Sequence, residues 1–223
     1  MTRTRWIIFG LICLLALAGI VVFNKKDSVD VSSTDPASVI TGENGDHVYG
    51  KTDAKVILFE YGDFQCPGCG GAFAKIKTIK ETYKDKIAFV FRNFPLTSIH
   101  PNALAAATAA EAASLQGKFW EMHDKLYESQ DSWSAISAAE RTNVFVQYAT
   151  SLGLNAEQFK TDMSSKTVSD KIARDRALAG KLDVSSTPTL YVNDEKLNSD
   201  IISDVVQADG SLLIKKIDEK LKN

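Results

Sequence analysis

The hydrophobic positions of this 223-residue chain fall into blocks of different period. "KVILFEY", Lys55–Tyr61, is a near-continuous run of strand formers, the pattern of a strand buried on both faces. "FQCPGC" then turns, and Phe73, Ile76, Ile79 and Tyr83 recur at helical spacing. "KIAFVFRNFPL", Lys86–Leu96, is a second apolar strand. Strand, helix and strand within about 40 residues predict a βαβ unit, parallel and right-handed.

From His100 the period becomes helical. His100–Gln130 is alanine-rich, with Leu104, Leu115, Phe119, Met122 and Leu126 as larger apolar positions. The small residues of Ala103–Ala113 let another helix approach closely, and Phe119, Trp120 and Tyr127 read as core. "SAAE", Ser137–Glu140, is a capping box opening a helix that ends near Gly153. "NAEQ", Asn155–Gln158, opens a shorter one, and Lys166–Lys181 carries Val168, Ile172 and Ala179 near helical spacing. Strands return at "TPTLYVN", Thr187–Asn193, with a short partner predicted at Lys196–Asn198. The chain closes on a helix with Leu213, Ile214, Ile217 and Leu221 on one face, capped by Asp209 or Ser211. The order βαβ, three or four helices, ββα predicts an α/β sheet domain with a helical insertion. Its first half spans 47–98, the insertion 99–183 and the second half 184–223.

Residues 6–23, "WIIFGLICLLALAGIVVF", carry no charge. As a helix they span about 27 Å, close to a hydrocarbon core of ~30 Å. Arg3 and Arg5 precede them and Lys25 and Lys26 follow, a tie that orients the segment only weakly. Short basic N-termini stay in the cytoplasm, so the expectation is a single-pass anchor in the cell membrane with the domain outside. "ALA" at Ala16–Ala18 also resembles a signal-peptidase site, and cleavage there predicts secretion instead. Either way the domain is exported to where disulfides persist. Residues 24–46 are polar, without helical or strand period, and read as a flexible tether.

The chain holds 26 Lys+Arg and 28 Asp+Glu. Setting aside the four bases flanking the apolar start leaves 22 against 28, a net of −6. A mildly acidic domain without a basic run excludes the usual nucleic-acid footprint.

Only three cysteines occur, and Cys66 and Cys69 sit three apart where the first strand gives way to a helix. Residues one turn apart lie about 5–6 Å from each other on one helical face, inside the window for a disulfide. Cys66 precedes the first turn, where unpaired amides and the positive dipole end stabilise a thiolate. Cys66 is thus the expected nucleophile and Cys69 the resolving thiol. Pro67 suits the first turn, where its missing amide costs nothing. A zinc clasp needs two further ligands. No second CxxC exists, His47, His100 and His123 are scattered, and no metal site is expected. A static staple across so short a loop adds little stability.

Glu60 is an acid inside an apolar strand, six residues before Cys66. Either it reaches water at the strand end, or it is kept as a proton acceptor for the thiol behind it. Thr187–Pro188 opens a strand where proline is tolerated only at an edge or special turn, and an ordinary trans bond and a cis bond both satisfy this.

Together, "DAKVILFEYGDFQCPGC", "FRNFPL", the alanine-rich helical block and "VSSTPTLYVN" resemble the DsbA-like branch of the thioredoxin superfamily, and within it the membrane-anchored BdbD type. The resemblance covers about Val48 to Leu221. It implies a thioredoxin fold with a helical domain inserted between its βαβ and ββα halves. It also implies that Cys66 attacks, Cys69 resolves, and Pro188 is cis beside them. Thr187 then offers backbone groups to a bound peptide. Glu60 falls on the family's buried acid and Phe64 on its aromatic position before the motif. The implied activity is disulfide donation to reduced or unfolded exported proteins, with no cofactor beyond the Cys66–Cys69 pair. A membrane quinone-coupled partner is implied for reoxidation. A reductase, or a tethered chaperone or binding module without turnover, is the alternative. The motif departs from the strongest oxidants of the family, because Pro67–Gly68 supplies no histidine to the thiolate. A 23-residue tether has no room for a dimerisation domain, so a monomer is expected.

Overall fold

The computed structural model describes residues 29–42 and 45–222. Its sheet is centred on the two apolar runs, β2 (Val56–Gly62) and β3 (Ile87–Asn93), which pair in parallel and are joined by helix α1 (Pro67–Tyr83). Strand β4 (Thr189–Val192) adds antiparallel to β2, and the two-residue β5 (Glu195–Lys196) borders it. On the far side β1 (His47–Gly50) pairs antiparallel with β3, giving the order β1-β3-β2-β4-β5.

Helices cover both faces of this sheet, which is why β2 and β3 read as unbroken apolar runs rather than alternating ones. On one face Leu58, Phe89, Phe91, Leu190 and Val192 pack with Ile76 and Ile79 of α1. Leu213 and Ile217 of the last helix, Ser211–Leu221, join the same core. On the other face Phe59, Tyr61, Val90 and Tyr191 pack with Ala179 and Val184.

Between the halves lie α2 (Ala103–Ser114), α3 (Phe119–Glu128), α4 (Gln130–Trp133), α5 (Ala138–Ser151), α6 (Ala156–Asp162) and α7 (Lys166–Lys181). The long helical stretch from His100 breaks at Gly117, whose φ of +74° favours glycine. Helices α5, α6 and α7 each start at a polar capping side chain. Ser137 and Glu140 bond to each other at the start of α5. Asn155 Oδ1 accepts from the amides of Glu157 and Gln158, and Ser165 Oγ from that of Val168. After β5 come α8 (Ser199–Gln207), capped by Asn198, and α9 (Ser211–Leu221), preceded by Asp209, which accepts from the Ser211 amide.

Several features differ from the sequence reading, beginning with the insertion, whose described residues form six helices where three or four were expected. Strand β1 was not anticipated, because four residues at the end of a polar stretch carry little period. Helix α8 was not anticipated either, although Ile201, Ile202, Val205 and Val206 recur at helical spacing. Strand β4 begins at Thr189 rather than Thr187, after a proline that has no amide to give the ladder. The tether expected over 24–46 is, from Val31 onward, packed onto the domain. Arg92 of β3 is fully buried and donates to the carbonyls of Pro36 (2.6 Å) and Ser38 (2.8 Å) and to both Asp46 carboxylate oxygens (3.2 and 2.8 Å). Lys181 Nζ donates to the carbonyls of Val31, Ser32 and Thr34. A polar composition conceals such a segment when its partners are single cations distant in sequence. The apolar segment 6–23 lies outside the described residues, and among the described residues no helix is long and apolar enough to cross a membrane.

Candidate active site

Cys66 is the N-cap of α1, in extended conformation, with Pro67 filling the first turn and Cys69 one turn further in. Both are free thiols. Cys66 is 8% exposed and Cys69 is 0% exposed. Across from them the Thr187–Pro188 bond is cis, and the Cys66 thiol lies 3.4 Å from the Thr187 carbonyl. Gly68 closes the cluster. A Cβ there would lie 3.2 Å from Pro188 Cδ and 3.6 Å from Cys66 Sγ, so a larger residue would press on the proline beside the sulfur. Glu60, at 3% exposure, shares the β2 face of Leu58 that lies beneath α1.

Phe64 is core rather than rim. It is buried, with Phe91 and Tyr127 rings each 5.0 Å away. The backbone around it is held by the helical insertion. Gln130 Nε2 donates to the carbonyls of Phe64 (2.7 Å) and Cys66 (3.0 Å). Its amide lies over Gly70, where a Cβ would come within 2.3 Å of Gln130 Oε1. The buried Asp63 carboxylate accepts from the amides of Gln65 and Leu96 and pairs with His100 Nδ1 at 2.7 Å.

The two sulfurs are electrostatically opposite. A hydrogen bond from Cys69 lowers the Cys66 thiol to about 5. Burial opposes it, while Thr187 and the amides of Cys69 and Gly68 add to it. Cys69 is pushed well above its ordinary value by burial, and then by its bond to Cys66 and the nearby charges of Glu60 and Cys66. Burial raises Glu60 to about 8, with Lys80 pulling the other way and Cys66 adding to the rise. So near neutrality the arrangement holds a thiolate at the helix start, a thiol behind it and a carboxyl poised to give or take one proton.

Lys80 escaped the sequence reading although it sits four residues after Ile76 on the buried stripe of α1. Its ammonium is 3.2 Å from Asp124 and 4.6 Å from the centre of the Trp120 ring. Gln130 carried no signal because its partners are backbone carbonyls brought up by folding, and Asp63 because it meets the Leu96 amide and the His100 ring, both distant in sequence. The three histidines do not converge. His47 pairs with Glu111, His100 with Asp63 and His123 with Asp124. Among the described residues no group of three potential ligands could hold a metal ion.

Glu60 also leaves a stability signature. Folded, it keeps its proton up to about pH 8, whereas its ordinary value is 4.5. Between those values the folded state binds more protons than the unfolded one, so stability falls as pH rises through the window. Glu60→Gln is expected to gain stability over the parent as pH climbs from about 5 to about 8, by a few kcal/mol. Urea midpoints at the two ends measure it, and an unchanged difference between them would contradict the assigned burial.

A cysteine pair at a helix start, a buried acid behind it and a cis-proline loop across from it define the site of a thiol–disulfide oxidoreductase. Comparison with known proteins agrees. The family model described as Thioredoxin matches residues 43–208, and the chain belongs to that family. Its structural neighbours include thiol–disulfide oxidoreductases of the DsbA/BdbD type. The crystal structure of oxidised BdbD from Bacillus subtilis superposes with a TM-score of 0.67 at 25% identity, covering 83% of this chain and 100% of that one. A thioredoxin-like oxidoreductase from Silicibacter pomeroyi gives a TM-score of 0.65 at 27% identity, over 82% of this chain and 95% of that one. Among curated proteins, a Na(+)/H(+) antiporter NhaA 1 of Mycolicibacterium vanbaalenii is 41% identical over 152 residues, which are 66% of this chain and 23% of the antiporter. The chain thus spans about a quarter of the length of the curated relatives it matches.

Proposed function

We propose that this protein donates disulfides to exported proteins through the Cys66–Cys69 pair. The observation that carries the direction is the Cys66 thiolate, held at about 5 by Cys69, Thr187 and the helix amides. Whatever stabilises the thiolate stabilises the reduced protein, and so makes its disulfide the better oxidant.

In the forward reaction a substrate thiolate attacks Cys66 Sγ. The Cys66–Cys69 bond breaks, its electron pair passes to Cys69, and the Glu60 carboxyl supplies the proton that Cys69 takes. A second substrate thiolate then attacks the substrate sulfur of the mixed disulfide and expels Cys66 as its stable thiolate. The substrate leaves oxidised by two electrons and the protein reduced by two, and no bound cofactor is needed. Thr187 and Pro188 orient the incoming chain. Beside them a cleft of about 400 Å³, with Leu197, Ile202 and Val206 among its lining, supports an extended protein segment as the substrate.

Export is supported by the apolar run 6–23 with its basic flanks. We place the domain on the extracytoplasmic side, as a monomer reoxidised by a quinone-coupled membrane protein. Sodium–proton exchange is not carried over from the antiporter relatives, because the match covers only 23% of the first of them.

Equilibration with glutathione or dithiothreitol tests the direction. The expected potential lies between about −120 and −270 mV, above the reducing end. A value at the reducing end would overturn disulfide donation in favour of a reductase.

A further inference from the structure

Tyr127 belongs to α3 of the helical insertion, yet its hydroxyl reaches the interior of the thioredoxin half. A Cβ at Gly62 would lie 3.1 Å from Tyr127 Oη. Gly62 ends β2 two residues beyond Glu60, on the same face of the strand. The ring is fixed by Phe64, 5.0 Å away, and by Phe73, stacked at 5.2 Å. Phe73 follows Cys69 by one turn of α1. The phenol therefore stands beside the first turns of that helix, with its oxygen over the end of the strand that carries Glu60.

That oxygen is buried and has no hydrogen-bond partner among the described residues. A buried hydroxyl without a partner carries its full desolvation penalty, and a phenylalanine would fill the same aromatic pocket without it. Such a group is understandable if its partner is charged only during the reaction.

We propose that Tyr127 is a positioning residue for the Cys69 proton, its hydroxyl donating to the Cys69 sulfur whenever that sulfur is charged. This rests on the reading of Cys66 and Cys69 as an exchanging pair. When Cys69 resolves a mixed disulfide, its proton passes to the Glu60 carboxylate. The sulfur attacks Cys66 Sγ, the bond from Cys66 to the foreign sulfur breaks, and that sulfur leaves with the electron pair. Tyr127 keeps its own proton throughout. Burial, and then the charges of Cys69, Glu60, Asp63 and Cys66, push its ionisation well above the ordinary value. The other groups facing this interior do not replace it. His123, one turn away on α3, is held neutral by burial down to about 4 and bonds through Nδ1 to Asp124. Lys80 and Lys77 are likewise engaged by Asp124.

Ellman's reagent loads reduced protein at Cys66 with release of one coloured thiolate, and attack by Cys69 then expels a second, whose slower phase stopped-flow absorbance follows across pH. Tyr127→Phe is expected to slow expulsion roughly tenfold, as loss of one hydrogen bond to a charged group does, and to move its pH midpoint upward. The pH profile of Cys66 alkylation should stay unchanged and the thermal midpoint unchanged or raised. Parental expulsion rates and midpoint in the variant would overturn the proposal. So would a parallel change in Cys66 alkylation, which marks altered packing. Failure of the parent protein to load at all would instead overturn the reading of Cys66 itself.

Discussion

Replacing Cys66 by alanine should abolish disulfide exchange, by at least about a thousandfold, because the step passes through a covalent bond to that sulfur. Cys69→Ala should behave differently. Offered a disulfide-bonded substrate, its Cys66 thiolate still attacks one substrate sulfur and expels the other, but no neighbouring thiol releases the mixed disulfide, so substrate accumulates on the protein as a covalent adduct. The asymmetry follows from the environment of each sulfur. Cys66, 8% exposed at the helix start, is ionised near neutrality, whereas Cys69 is fully enclosed and kept as a thiol. Oxidative refolding of a reduced substrate measures the first variant, and mass spectrometry of non-reduced samples detects the adduct of the second. Substantial exchange by Cys66→Ala would show that Cys69 reacts unaided, against its burial.

The second large effect concerns stability. Arg92→Met should cost up to about 3–5 kcal/mol, because it takes the nearer guanidinium from the buried Asp46 carboxylate and leaves it only Arg174, at 3.3 Å, and the Ile40 amide. The Arg92 guanidinium is 2.8 Å from Asp46 Oδ2, and both side chains are fully buried. It also donates to Tyr61 Oη (2.9 Å) and to two carbonyls of the N-terminal segment, so its loss should free that segment as well. Burial alone would raise Asp46, but the hydrogen bond and charge of Arg92 hold it below its ordinary 3.8. The contribution is therefore fully present above the ordinary value and lost as pH falls through the lower, folded one. Urea denaturation at neutral pH should show the full cost, and the double variant Arg92→Met with Asp46→Asn should recover part of it. A double variant no more stable than Arg92→Met alone would contradict the pairing as the source.

Arg92 also marks the limit of what the chain discloses by pattern. Inside "FVFRNF" it reads as one polar interruption of a strand, and nothing nearby in sequence announces that Pro36, Ser38 and Asp46 fold back to meet it. The doubly covered strands, the capped helices of the insertion and the final amphipathic helix were legible, because each depends on local period or on a cap within three residues. Cys66, Cys69, Glu60 and Pro188 were legible for a related reason. A thiol pair at a strand-to-helix turn, an acid in an apolar strand and a proline at a strand start are each locally anomalous. Phe64, expected at the aromatic position before the motif, is buried against Phe91 and Tyr127. Gln130, Asp63 and Tyr127 were not legible as site residues. Each looks ordinary in its own segment and acquires meaning only when the helical insertion closes over the motif.

The account depends most on the acidity of one sulfur. The rate of iodoacetamide alkylation of the reduced protein, followed across pH with Cys66→Ala as the blank, reports it directly. The predicted midpoint is about 5. A midpoint near 9, that of an ordinary thiol, would contradict the account.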